Sequence, residues 1–153
     1  MTMPDIERER MIDAVIRVSE RSLYAFAEHV PKAMMPATID GGWHVASLQF
    51  RGPFSGRISM AVPVLLSQQI CGAFLGDDVQ DEAAVRDLVG EFANMACGAW
   101  LTGLEASECF DLTHPEVDAA EQVPSCDLAF VINDLPVMLT MSLNDPAQGE
   151  AAS

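Results

Sequence analysis

Glu91 and Asn94, an acid and an amide three residues apart, are the side chains here whose types and spacing could do chemistry together. They stand in the run Asp87-Leu88-Val89-Gly90-Glu91-Phe92-Ala93-Asn94-Met95-Ala96-Cys97-Gly98. At about 100° per helical residue, Asp87, Glu91, Asn94 and Gly98 fall within an arc of roughly 60°. A carboxylate and a carboxamide presented side by side can hold a water molecule and a cation at once. The amide oxygen accepts a hydrogen bond from the water and fixes its direction. Asparagine is no base at neutral pH, so the chemistry is orientation of a water rather than removal of its proton.

Such a pair needs a rigid amphipathic rod. Val85, Leu88, Val89, Phe92, Ala96, Ala99 and Trp100 mark the opposite, apolar side, and the pattern predicts a helix from about Glu82 to Leu104, with Gly103 a weak point near its end. Asp77, Asp78, Asp81 and Glu82 suit the positive N-terminal end of that helix. A first helix is expected from Asp5 to about Val30, stopped by Pro31 and Pro36. The alternation Trp43–Phe50, the turn residues Gly52-Pro53 and Ser55-Gly56, and Arg57–Val62 read as a hairpin. Pro63 opens a short helix to Leu75, closed by Gly76-Asp77-Asp78. Phe110–Thr113 reads as a short strand ended by His114-Pro115, and Glu116–Ser125 as an acidic loop. Asp127–Ile132 and Val137–Leu143 form a second hairpin across Asn133-Asp134-Leu135-Pro136. Residues 146–153 are expected to be a disordered tail after a single domain, 1–145.

Each half thus carries a long helix followed by a hairpin. Aligning Asp13 with Asp87 sets Arg17 opposite Glu91 and Glu20 opposite Asn94, so in this weak internal pseudo-repeat only the second copy holds the pair. Helices and hairpins, without strand–helix–strand alternation, imply an α+β fold: long helices on an antiparallel sheet in two layers.

The 153 residues carry 23 acids against eight bases, a net charge of −15. That charge disfavours nucleic acid and anionic membrane surfaces as partners. No basic–apolar leader opens the chain and no apolar run approaches the ~20 residues of a membrane span, so a cytoplasmic protein is expected. Arg8, Arg10, Arg17 and Arg21 read as a solvated face of the first helix. Cys71, Cys97, Cys109 and Cys126 show no Cys-x-x-Cys spacing and read as free thiols of a reducing compartment. His29, His44 and His114 pair with no acid or cysteine at ligand spacing; surface or capping roles and no metal site are expected. Neither a Gly-x-Ser-x-Gly nucleophile motif nor a Gly-rich phosphate loop occurs.

The run Gly90-Glu91-x-x-Asn94-Met95-x-x-Gly98, with Asp87 before it and Asp111-Leu112-Thr113-His114-Pro115-x-Val117 downstream, resembles the signature helix and strand-and-proline segment of the CheC/CheX chemotaxis phosphatases. A single helix signature resembles the single-site CheX branch more closely, and the order of elements fits over nearly the whole chain. The resemblance implies the CheC/CheX-like fold and hydrolysis of the aspartyl phosphate on a CheY-like receiver domain. It implies Glu91 and Asn94 as catalytic residues, with Asn94 orienting the water and Glu91 pairing with a receiver lysine. Asp87 and Gly98 would meet the partner. Mg²⁺ would come from the receiver, with no cofactor of the protein's own, and a homodimer is expected, with Val137–Leu143 available as a pairing edge. For Asp87, a plain helix-surface acid is the competing explanation; for Gly98, close helix–sheet packing; for Pro115, simple termination of a strand.

Two other classes of function remain open. One is a non-catalytic signalling adaptor that binds a receiver on the same scaffold, for which Asp118-Ala119-Ala120 after the proline, where the family often has a glycine, leaves room. The other is a small-molecule pocket between helix and sheet.

Overall fold

A computed structural model describes residues 5–75, 81–102, 110–123 and 125–144. The order is α1 (Asp5–Ser22), β1 (Ala27–Val30), a 3-10 turn at Lys32–Met34, β2 (Thr38–Arg51), β3 (Gly56–Pro63), α2 (Val64–Leu75), α3 (Glu82–Thr102), β4 (Asp111–Leu112), β5 (Glu116–Gln122), β6 (Leu128–Ile132) and β7 (Leu135–Leu143). Gly76–Asp78, Gly103, Cys109 and the tail 146–153 lie outside the described residues.

The seven strands form one antiparallel sheet in the order β1-β6-β7-β3-β2, with β4 and β5 both lying along the outer side of β2. Period-2 alternation decides the faces. Ala46, Leu48 and Phe50 of β2, Ile58, Met60 and Val62 of β3, Val137 and Leu139 of β7, and Leu128, Phe130 and Ile132 of β6 point at the helices. There they meet Met11, Val15 and Val18 of α1, Leu66 and Ile70 of α2, and Val89, Phe92, Ala96 and Trp100 of α3. Burying that many Leu, Ile, Val and Phe side chains, each worth about 1.5–3 kcal/mol, is what clamps the helices to the sheet. The space between helices and sheet is therefore filled by core side chains, Phe50, Phe92, Phe130 and Trp100 among them, each under 2 % exposed. A smaller cluster on the other face, Trp43, Ala61 and Met138, is covered by Met35, Ile39, Val123 and Cys126.

The sheet order is palindromic. Exchanging β1, β2 and β3 for β5, β6 and β7 reverses the order onto itself, and each half contributes one long helix, α1 or α3, to the same layer. The helix-and-hairpin repeat of the sequence is thus a repeat of the fold, with the first strand of each half docked on the hairpin of the other.

Four expectations are corrected. The first helix ends at Ser22, not near Val30, and Ala27–Val30 is an edge strand on β6. The N–H groups of Leu23 and Ala25 both donate to the Ser19 carbonyl, and Tyr24 turns the chain with φ 52°. Phe26, which extends the helical periodicity, is 81 % exposed. The acidic segment after Pro115 is strand β5, an edge whose outward acids discourage further pairing. Val137–Leu143 is not an edge either: β7 sits between β6 and β3, so any association by strand pairing would have to use β1 or the β4–β5 side. Arg8 is not simply solvated, since its Nη2 donates to the Asp127 carbonyl at 3.0 Å and ties α1 to the start of β6.

The second hairpin closes through only two residues, Asn133 and Asp134, with φ 51° and 64°. Both sit in the left-handed region that the tight turn of a right-twisted hairpin requires. None of the described helices is long and apolar enough to cross a membrane.

Candidate functional site

Helix α3 is unbroken from Glu82 to Thr102. Its buried positions include Val85, Val89, Gly90, Phe92, Ala93, Ala96, Cys97, Trp100 and Leu101, while Ala99 is exposed. The buried arc is therefore turned toward Gly90, Ala93 and Cys97 relative to the expected one. The cause is a second wall. The segment between β4 and β5 leans on α3 at Gly90, where a Cβ would stand 3.3 Å from Val117 Cγ2 and 3.4 Å from Pro115 Cβ. A Cβ here would press on Val117, so glycine lets Pro115 and the start of β5 lie this close without shifting. Pro115 thus does more than end a strand.

The two walls leave a cleft of about 620 Å³, lined by Ala83, Arg86, Asp87, Gly90, Glu91, Asn94, His114, Pro115 and Val117. Among the lining residues Glu91 is exposed and Asn94 is half-buried. Asp87, Glu91 and Asn94 are thus brought to one cleft, as their helical phase predicts. Gly98 does not line it. Among the described residues, a Cβ on Gly98 would meet nothing within 4 Å, so helix–sheet packing does not explain this glycine.

Spacing did not reveal the framework behind the cleft. His44 of β2 is 1 % exposed, contrary to the expected surface role. Its Nε2 lies 3.2 Å from Glu82 Oε1 and its Nδ1 lies 3.3 Å from Ser67 Oγ. Ser67 is buried and donates to the Pro63 carbonyl at 3.0 Å, so this serine is a link in the scaffold and no nucleophile. Glu82 also receives Arg86 Nε at 3.1 Å, and Arg86 Nη1 donates to the Val117 carbonyl at 3.3 Å. The Arg86 and His44 hydrogen bonds hold the Glu82 carboxyl below its ordinary range. Glu82 therefore stays ionised as pH falls toward the usual carboxylate range, and its bonds are lost only as pH drops through the lowered value. Burial pushes the Cys97 thiol up to about 12, which keeps it neutral within the core face of α3. Among the described residues, no group of three or more His, Cys, Asp or Glu side chains is placed to hold a metal ion.

The sequence profile of one family, chemotaxis phosphatase CheX, matches residues 44–129, over half of the chain, from His44 through the cleft to β6. The chain belongs to the CheX family. No curated protein matches it in sequence. Among solved structures it is similar in fold to the CheC-like superfamily protein of Shewanella sp. PV-4, at 19 % identity, with 94 % of this chain and 100 % of that one covered and a TM-score of 0.74. It is similar to the chemotaxis protein CheX of Vibrio vulnificus at 17 % identity, with 94 % and 100 % covered and a TM-score of 0.74. A third neighbour is the Borrelia burgdorferi CheX-CheY-BeF₃-Mg²⁺ complex, at 15 % identity, with 91 % and 98 % covered and a TM-score of 0.62. The CheX match and these neighbours agree with the two-layer fold, and the CheX profile spans both walls of the cleft.

Proposed function

We propose that this CheX-family chain hydrolyses the aspartyl phosphate of a CheY-like receiver domain by laying α3 against the phosphoacceptor pocket and orienting the attacking water. The observation that carries this reading is the presentation of Glu91 and Asn94 on one unbroken helix, opening on one cleft. The Borrelia complex, in which CheX stands with CheY, BeF₃ and Mg²⁺, supports a receiver as the partner.

The chemistry asks for little more than position. Water oxygen attacks phosphorus in line with the bond to the aspartyl oxygen. That bond breaks, the aspartate leaves as a carboxylate, and the water's protons stay on the phosphate formed or pass from it to solvent. A carboxylate of ordinary pKa near 4 leaves without being protonated, so no general acid is needed. Charge on the transferring group is met by the Mg²⁺ and lysine of the receiver itself, which leaves the phosphatase the task of placing the water. The Asn94 amide oxygen accepts from one water hydrogen and sets the line of attack. Glu91, one turn toward the N-terminus, pairs with the receiver lysine and fixes the register of the helix. Asp87, a further turn back, meets the partner at the end of the cleft, and Gly98 lets its surface approach the C-terminal end of α3.

Phosphate release from a panel of phosphorylated receivers, with and without this protein, tests the reading. At least one receiver should lose phosphate many times faster in its presence. Binding to phosphorylated receivers with no acceleration of any would instead make the protein an adaptor.

A further inference from the structure

The charge on the cleft poses a problem for docking. Asp87 and Glu91 line it, and the chain as a whole carries −15. A phosphoacceptor pocket that binds Mg²⁺ is itself built from carboxylates. Two acidic surfaces must therefore meet, and like charges at contact oppose association. Among the described residues lining the cleft, Arg86 is the one Lys or Arg.

Arg86 is also unusually well held for a surface side chain that is 39 % exposed. Glu82 Oε1 takes its Nε and the Val117 carbonyl takes its Nη1, so the guanidinium is anchored to α3 on one side and to β5 on the other. Glu82 is in turn held by His44, which is buried in the sheet. A surface pair four residues apart contributes little stability by itself, and enclosing an imidazole beneath it has a desolvation cost. What the arrangement does provide is a fixed cation. A guanidinium has five N–H donors, and the two anchors use two.

We infer that Arg86 recognises the partner: it takes a carboxylate on the rim of the receiver's Mg²⁺-binding phosphoacceptor pocket, and Glu82, steadied by His44, positions it. The inference rests on the receiver-phosphatase reading above. Arg86 lies about 12 Å along the helix axis from Asn94, and its anchor Glu82 draws it one further turn away. It does not reach the phosphoryl group while Asn94 holds the water. It acts on association and not on the chemical step.

The test is the dephosphorylation kinetics of a CheY receiver phosphorylated with acetyl phosphate, together with binding of the same receiver activated by BeF₃⁻ and Mg²⁺. R86M keeps the side-chain stem and removes the charge and both anchors. It is expected to raise KM and the Kd for the activated receiver about tenfold while kcat stays within twofold, the signature of lost uniform binding. R86K, which keeps the charge without the fork, should fall between wild type and R86M. A KM and Kd within twofold of wild type in R86M, or a loss confined to kcat, overturns the inference. So does an R86K variant as impaired as R86M, because then the internal bonds matter and the charge does not. N94A separates this inference from the reading beneath it: retained turnover in N94A defeats the water-orienting mechanism, whereas lost turnover in N94A with unaltered KM and Kd in R86M defeats only the role of Arg86.

Discussion

Helices α1 and α3 lie in the same layer, on equivalent sides of a palindromic sheet, and of the two only α3 carries the acid–amide pair. Along α1, Asp13, Arg17 and Glu20 are exposed at the positions equivalent to Asp87, Glu91 and Asn94. Position 90 of α3 is a glycine against which Pro115 and Val117 close, whereas the equivalent Ile16 of α1 is a partly buried side chain packed on the core. What α3 has and α1 lacks is thus both the pair and a glycine that lets a second wall stand beside it.

Matched substitutions in the two helices sharpen this comparison. Glu91→Ala should lower kcat/KM for a phosphorylated receiver on the order of a hundredfold, the usual scale for removing one partner of a charge pair buried in an interface. Arg17→Ala should leave it unchanged; equal losses from the two would remove the distinction between the helices. Gly90→Leu forces carbon into a space already limited by Val117 and Pro115. It should cost about 1–3 kcal/mol in thermal or denaturant unfolding and lower turnover by roughly tenfold or more as the wall shifts. Ile16→Ala should destabilise by a similar amount with turnover retained, so activity and stability separate between the halves.

Gly98→Ala probes the outer end of the same face. With open space around its Cβ position, alanine in a helix interior should raise stability by about 0.5–1 kcal/mol. If the partner's surface covers this position, the same substitution should weaken binding of the activated receiver a few-fold, and a stabilised variant with unaltered binding would remove Gly98 from the interface. The smallest effect is expected from the double substitution R17E/E20N, which writes the acid–amide pair onto α1. Without a second wall it should change the dephosphorylation rate by less than about twofold; a clear gain would show that spacing alone makes the site.

Much of this was legible in the sequence, and the failures have physical causes. Helix α3 and the two hairpins announce themselves through periodicity and turn chemistry, and helical phase puts Glu91 and Asn94 on one face, while their reading as a site came from the resemblance to CheC/CheX. Strand β1 was hidden because Leu23 and Phe26 continue the period of α1, and the break is a left-handed tyrosine that no sequence rule marks. Strand β5 looked like a loop because Glu116, Asp118 and Glu121 give it the charges of an exposed edge. The framework of the site was invisible for a different reason. The bonds His44–Glu82 and Arg86–Val117 join residues 38 and 31 positions apart, and the contact of Gly90 with Pro115 likewise joins separate elements. Local patterning reports which residues share a face, not which distant segment will lean against it. Gly90 in mid-helix and the Pro115-x-Val117 segment downstream were the available signals, since a glycine there costs about 1 kcal/mol relative to alanine unless something requires the space.

In the proposed mechanism Asn94 places the water for attack on another protein's aspartyl phosphate. The lifetime of a phosphorylated CheY receiver, measured alone, with wild-type protein and with Asn94→Ala, tests it most directly, with affinity for the BeF₃⁻–Mg²⁺ form of the receiver measured in parallel. Wild type should shorten the lifetime, and N94A should leave it at its intrinsic value while still binding the activated receiver. An N94A protein that shortens the lifetime as much as wild type would show that Asn94 does not place the water.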